Sequence, residues 1–131
     1  MPSLAPCLMF VGDQLGRARE AMDLYAAALP GSEVLHVQRS EDGAHVVYAR
    51  MRIAGAEVVL MDSPAPHRFG FTPAVSLFAD LDDEAAVDAA WAALSEGGDV
   101  LMPLQAYPFS PRFGWCNDRF GVSWQLRLTA G

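Results

Sequence analysis

The sequence predicts an α+β fold made of two copies of one βαβββ unit. Three observations support this prediction: strand and helix patterns occur in the same order in both halves, a segment rich in proline and glycine separates the halves, and similar residues recur at matching places. Each helix should cover one face of its own sheet. We therefore expect the uncovered faces to form a cupped, mixed-sheet cleft with the helices outside, a common place for a ligand.

The first half contains the expected unit over residues 4–62. An apolar run at 4–11 predicts a buried strand, and apolar side chains recur every three or four positions over 16–29, which predicts a helix. Pro30 and Gly31 end that helix. Three strands of a predicted meander follow at residues 33–39, 44–53 and 56–61. In the second of them Val47, Ala49, Met51 and Ile53 are expected on one apolar face.

The second half repeats this order after a predicted linker at 63–72. Asp82 and Asp83 stand where an N-cap belongs, directly before a predicted helix. The segments predicted here are a strand at 74–81, a helix at 84–94, a strand at 99–103, a long loop through Pro108 and Pro111, and strands at 113–117 and 122–128. We thus expect one domain over residues 1–131, with a second module over 73–129.

The composition excludes several classes of function. A net charge of −7 opposes binding to nucleic acid or to an anionic membrane, because such binding needs clustered cations. All nine cationic side chains are arginines, so Schiff-base chemistry and a P-loop, which need lysine, are excluded. Cys7 and Cys116 form no metal-binding pair and are expected to be reduced, buried thiols. Without a signal peptide or a long apolar stretch, the protein is expected to be cytoplasmic.

Three stretches carry a resemblance to a known family. They are GRAREAMDLY at 16–25, LPGS at 29–32 and, above all, YPFSPRFGWCNDRFGVSWQL at 107–126. The chain resembles the vicinal oxygen chelate superfamily (glyoxalase, bleomycin-resistance protein, extradiol dioxygenase), and in particular its PhnB-like branch, often described as 3-demethylubiquinone-9 3-methyltransferase-like. The resemblance implies a glyoxalase-like domain, a small-molecule ligand and a homodimer.

The metal ligands of the superfamily are largely missing from the matching positions. Its metal-dependent members hold a divalent ion with His, Gln or Glu side chains and keep positions open for substrate. Gln125 matches a position that usually carries Glu, whereas Val59 and Ser76 replace other ligands, and the first strand offers Pro6 or Leu8. The histidines do not map onto these sites. No cofactor is therefore expected, although a weakly bound divalent metal with Gln125 as the remaining ligand candidate stays open.

Other side chains suggest chemistry without a metal. Glu57 should face the cleft, where a raised pKa would suit a general base, but a solvated position at the strand end is equally consistent. Arg50 would favour an anionic ligand if it faces the cleft. The complete set of predicted ligand contacts is Gln125, Ser76, Ser123, Trp115, Tyr107, Phe10, Met61 and Arg50.

Three functions remain open at this stage. The first is a non-catalytic protein that binds a small anionic or aromatic compound, as bleomycin-resistance proteins do. The second is a lyase- or isomerase-type enzyme that uses Glu57 or a weakly bound metal. The third is an interaction module whose edge strands form a dimer. The missing histidine ligands favour the first, and Gln125 keeps the second open.

Overall fold

The computed structural model describes residues 1–129, which form eight strands and two α-helices in two units. The boundary between the units lies between Gly70 and Phe71. Residues 130 and 131, the end of the predicted domain, lie outside the described part. We refer to the units as module 1 and module 2.

Module 1 is a four-stranded mixed sheet with one α-helix. Its strand order is β1-β4-β3-β2, in which β1 and β4 are parallel and the other neighbours are antiparallel. A short 3-10 turn, Gly12–Gln14, connects the first strand to the helix. The elements are β1 Cys7–Phe10, α1 Ala18–Ala28, β2 Glu33–Arg39, β3 Val46–Ile53 and β4 Ala56–Asp62.

Module 2 repeats this arrangement strand for strand. Its order is β5-β8-β7-β6, again with one parallel pair, β5 and β8, and antiparallel neighbours elsewhere. The elements are β5 Ser76–Leu81, α2 Glu84–Ser95, β6 Asp99–Tyr107, β7 Ser110–Asn117 and β8 Ser123–Leu128. The predicted α+β fold of two βαβββ modules is therefore confirmed.

The core of module 1 lies between α1 and its sheet. The predicted helix stripe is buried, with Met22 and Tyr25 fully inaccessible, and it faces strand residues such as Leu60. The buried carboxylate of Asp62 accepts hydrogen bonds from the backbone N–H groups of Gly16 (2.9 Å), Ala18 (3.2 Å) and Val46 (2.8 Å). One side chain thus fixes the starts of α1 and β3.

The core of module 2 follows the same plan with different side chains. Asp83 caps α2, since its Oδ1 accepts a hydrogen bond from the Ala86 N–H (2.7 Å). The buried Asp118 carboxylate accepts from the backbone of Phe120 and Val122 and from the indole Nε1 of Trp124, at 2.9, 3.0 and 2.9 Å. These bonds hold the β7–β8 turn against the core.

Close packing requires glycine at two positions of module 2. A Cβ at Gly114 would lie 2.6 Å from the indole ring of Trp91 on α2. A Cβ at Gly98 would lie 1.9 Å from the backbone oxygen of Asn117. Glycine is therefore needed at both positions because there is no room for a side chain, and not because the backbone angles are unusual.

Two predictions about the strands are wrong. The long loop expected after residue 103 is instead a hairpin, because β6 continues to Tyr107 and β7 starts at Ser110. Pro103 is tolerated because β6 is an edge strand with register shifts around it. Val47, expected on the apolar face, is 44% exposed, because a register shift between Gln38 and Arg39 leaves it without a cross-strand partner.

Candidate functional site

The face of the module 2 sheet opposite α2 is the strongest candidate site, and we call it the second open face. Gly114 on β7 faces Trp91 of α2, so by alternation the neighbours of Gly114 point to the other side. Pairing of β8 with β7 and with β5 extends the same face across these three strands. Its central residues are Ser76, Phe78, Asp80, Phe113, Trp115, Ser123, Gln125 and Arg127.

Hydrogen bonds order the polar side chains at the centre of this face. Gln125 lies on the side away from α2, and its Nε2 donates to Ser76 Oγ at 2.8 Å. Trp115, the cross-strand neighbour of Gln125, donates its indole Nε1–H to Ser123 Oγ at 2.8 Å. Within residues 1–129 no hydrogen bond uses Gln125 Oε1, so this oxygen can accept one from a ligand.

Aromatic rings lie beside these polar groups. The Phe113 ring is buried, and ring centroids of Phe109, Tyr107 and Phe78 lie 5.0, 5.7 and 6.3 Å from its centroid. Tyr107 stacks on Phe109, with centroids 5.4 Å apart. Phe78 and Phe109 remain 50% and 59% exposed. Exposed rings next to ordered polar groups are typical of ligand-binding surfaces.

Arg127 brings a positive charge to the same face. Its Nε donates to Asp80 Oδ1 at 2.6 Å, and its guanidinium carbon lies 5.2 Å from the centre of the Phe78 ring. A cavity of about 230 Å³ adjoins it. The cavity is lined by Phe109, Ser110, Pro111, Arg127, Leu128 and Thr129.

The corresponding face of module 1, opposite α1, is the first open face. Here Arg50 donates to the Tyr48 hydroxyl and, at 3.3 Å, to Glu57 Oε1. The bond to Tyr48 and the Glu57 charge raise the pKa of Arg50, so its guanidinium stays charged. Glu57 is therefore ion-paired and half exposed. Val59 and Met61 lie on this face beside β1.

Two predicted contacts lie away from the centres of these faces. Phe10 is fully buried beside Asp62, on the side of the sheet that packs against α1, and this placement does not bring it to the first open face. Tyr107 lies at the end of β6, where its hydroxyl donates to the Pro103 carbonyl at 2.7 Å. Gln125, Ser76 and Trp115 are brought together on the second open face. Ser123 lies on the same face but is only 1% exposed and accepts the Trp115 bond, so almost none of its surface is left for the ligand contact predicted for it.

The potential metal donors are dispersed. Across residues 1–129 there is no group of three or more His, Cys, Asp or Glu side chains that could hold a metal ion. His67 Nε2 lies 2.7 Å from Ser63 Oγ, and its ring packs on Phe69 at 4.8 Å. His36 lies 5.8 Å from the Tyr48 ring.

Four of the residues named for the second open face, Phe78, Asp80, Phe113 and Arg127, are missing from the sequence-based set of contacts. Each lies at a period of two from Ser76, Trp115 or Gln125, so strand alternation alone places it on this face. What the sequence could not show is the pairing of β5 with β8, which brings Asp80 next to Arg127.

Comparison with known proteins agrees with this fold. The model of the 3-demethylubiquinone-9 3-methyltransferase family matches residues 2–127. The PhnB protein from Bacillus cereus is 38% identical with a TM-score of 0.90, covering 98% of this chain and 100% of that one. A protein from Pseudomonas aeruginosa is 25% identical with a TM-score of 0.79, covering 98% of both chains. Among curated proteins, none matches the chain.

A more distant structure shows the fold alone. A glyoxylase/bleomycin resistance protein/dioxygenase domain from Frankia is 18% identical with a TM-score of 0.67, covering 98% of this chain and 97% of that one. The duplicated βαβββ modules and the near-complete family match agree with each other. The chain belongs to the PhnB-like 3-demethylubiquinone-9 3-methyltransferase family.

Proposed function

We propose that this protein binds a small molecule at the second open face, in the manner of glyoxalase/bleomycin-resistance proteins. The observation that carries the proposal is the combination of a half-exposed Phe78 ring with the ordered Gln125 amide, which lies between Phe78 and Trp115 on the neighbouring strands. Burying the rings would supply affinity, while Gln125 Oε1 and the Ser76 hydroxyl would fix the orientation of the ligand.

The donor set at this face does not fit a tightly held metal. Gln125 offers one neutral oxygen whose amide nitrogen is bonded to Ser76, and the matching position in module 1 is Val59. A catalytic metal needs about three good ligands and an open position. We therefore propose binding without a metal or another resident cofactor.

The second candidate is a lyase- or isomerase-type enzyme, and one observation favours it. Glu57, Arg50 and Tyr48 form a connected set on the first open face, in which a carboxylate could accept a proton and a phenol could donate one. A divalent metal weakly bound by Gln125 belongs to the same alternative. The ion pair with Arg50 occupies one oxygen of the Glu57 carboxylate, at 3.3 Å.

The methyl transfer named in the family description is not part of this proposal. Methyl-donor sites, like other nucleotide sites, generally need a glycine-rich loop between a strand and a helix of a parallel sheet. In module 1 the β1–α1 connection contains only Gly12 and Gly16, and only one strand pair of its sheet is parallel.

The proposal also covers the oligomeric state, the location and the partners of the protein. We propose a homodimer in the cytoplasm with an anionic or aromatic ligand and, given the net charge of −7, no nucleic-acid partner. Neither helix within residues 1–129 is long and apolar enough to cross a membrane.

A fragment screen by native mass spectrometry tests the binding proposal. We expect hits that bind the unmodified protein and lose most of their binding in Gln125→Leu. Gln38→Leu is the matched control, because it makes the same change on β2 of the other module. Hits that bind both variants equally would contradict the proposed site.

Metal analysis separates the two candidate functions. We expect no stoichiometric metal in the purified protein, and no large rise in melting temperature when Ni²⁺, Mn²⁺, Zn²⁺ or Fe²⁺ is added. A large stabilisation that Gln125→Ala abolishes would instead favour the enzyme, because only a ligand of the bound ion should have that effect.

A further inference from the structure

Aromatic rings at the β6–β7 hairpin of module 2 remain partly exposed. Tyr107 covers one face of the Phe109 ring at a centroid distance of 5.4 Å, and Phe113 meets its edge at 5.0 Å. Phe109 is still 59% exposed. The ring is thus held firmly by two neighbours while a large part of its surface remains available for stacking.

Arg127 is oriented so that only part of its guanidinium is engaged. Its Nε edge is bonded to Asp80 and one planar face lies over Phe78. Asp80 is the only ion-pair partner of Arg127 within residues 1–129. The two terminal nitrogens are therefore free to form a forked pair of hydrogen bonds with a carboxylate.

Phe109 and Arg127 both line the cavity described above. Its volume of about 230 Å³ is below the range of roughly 300–1,000 Å³ that suits drug-sized ligands. Its walls include the flat, apolar ring of Phe109, the apolar Pro111, and Arg127, which is charged. The cavity therefore suits a single ring with one anionic group.

We propose that the ligand is an aromatic carboxylate whose anionic group pairs with Arg127 and whose ring packs against Phe109 and Pro111. This inference rests on the proposed binding function and adds the chemical class of the ligand. Asp80 is compatible with it, because a guanidinium can bind one carboxylate at its Nε edge and a second at its terminal nitrogens. Asp80 also fixes the orientation of Arg127 before the ligand arrives.

Calorimetric titration with benzoate tests the proposal. Benzamide keeps the ring but removes the charge, and acetate keeps the charge but removes the ring. We expect benzoate to bind at least about ten-fold tighter than either, and Arg127→Gln to weaken benzoate by at least about ten-fold. Arg52→Gln is the matched control, since it also removes a strand arginine paired with a carboxylate, and should change affinity by less than about two-fold.

A second variant tests whether misfolding, or a second copy of the chain on this surface, explains the result. Phe109→Ala removes an exposed ring and should weaken benzoate while leaving sedimentation unchanged. If Phe109→Ala changes the oligomeric state and leaves benzoate binding intact, this surface is an interface between copies of the chain and the proposal is overturned. Equal binding of benzoate and benzamide, or no effect of Arg127→Gln, also overturns it.

The failures of the two proposals are distinguishable. Neutral fragments that depend on Gln125, together with a failure of benzoate to bind, would leave the binding function in place and remove only the aromatic-acid class. Benzoate binding that depends on Arg127 but not on Gln125 would support the inference and contradict the role proposed for Gln125.

Discussion

The two modules share one scaffold but carry different chemistry on their open faces. The cross-strand pair Arg50 and Val59 in module 1 corresponds to Trp115 and Gln125 in module 2. On the first open face the charged groups satisfy each other through Arg50, Tyr48 and Glu57. On the second, the Gln125 amide oxygen and the exposed Phe78 ring remain available, and the exposed Phe109 ring lies next to this face.

The faces that pack against the helices differ much less. Leu60 and Leu126 take equivalent positions and both are fully buried. Each module also contains one buried carboxylate, Asp62 or Asp118, that accepts several hydrogen bonds. Core packing therefore constrains one side of each sheet, while the other side is free to acquire or lose a binding role.

The largest effect should come from the buried carboxylates. Asp62→Ala and Asp118→Ala each leave several buried N–H donors without an acceptor, so we expect a loss of about 3–5 kcal/mol in the free energy of unfolding. Urea denaturation measures it. Asp23→Ala, an exposed helix position, should cost less than about 1 kcal/mol. A small effect at only one of the two buried sites would show that the two modules do not depend on their buried carboxylates to the same degree.

The two modules differ at the position of Gly114, whose equivalent in module 1 is Ala49. Gly114→Ala should reduce stability by about 1–3 kcal/mol, since the new methyl group would meet the Trp91 ring. In the Trp91→Leu background the same substitution should cost markedly less. Equal costs in both backgrounds, measured by denaturation, would show that Trp91 is not the reason for glycine.

Exchanging the central residues of the open faces tests where the ligand binds. Gln125→Val should weaken a fragment hit by about ten-fold, or about 1.4 kcal/mol, because one hydrogen bond is lost. Val59→Gln should leave its affinity unchanged. Native mass spectrometry measures both, and the opposite ranking would move the site to module 1.

The smallest effect concerns the two cysteines. Burial, with a smaller contribution from the Asp118 charge, raises the pKa of the Cys116 thiol from 9.0 to about 12. The expectation that both thiols are buried is wrong for Cys7, which is exposed, although partial desolvation still raises its pKa. A disulfide reagent at pH 8 should therefore label only Cys7 in the folded protein. Reaction of both thiols would contradict this assignment.

The same pKa shift has a consequence for stability. Below pH 9 the Cys116 thiol is protonated in both the folded and unfolded states, so it adds no pH dependence. Between pH 9 and about 12 only the unfolded chain loses the proton, so stability should fall with rising pH. Cys116→Ala should reduce that fall, as followed by denaturation at a series of pH values.

Much of the fold could be predicted from the sequence, because local patterns control it. The periodicity of α1 and the cap at Asp83 mark elements whose cause lies within a few residues. The hairpin at Pro108 could not be predicted, because proline is acceptable there only once β6 is known to be an edge strand.

The candidate site was only partly predictable for a related reason. Strand alternation places Gln125 on the open face, since it depends only on neighbours along the chain. The contacts of Gln125 with Ser76 and of Arg127 with Asp80 depend on the parallel pairing of β5 and β8, which are separated by more than 40 residues. No local pattern fixes that register.

The indole N–H resonances provide the most direct test of the binding role of module 2. Trp115 donates its indole hydrogen to Ser123 on the second open face, whereas Trp124 donates to the buried Asp118. When a fragment hit is added, the ¹H–¹⁵N signal of the Trp115 indole should shift while that of Trp124 stays in place. Saturable binding with an unchanged Trp115 signal would contradict the account.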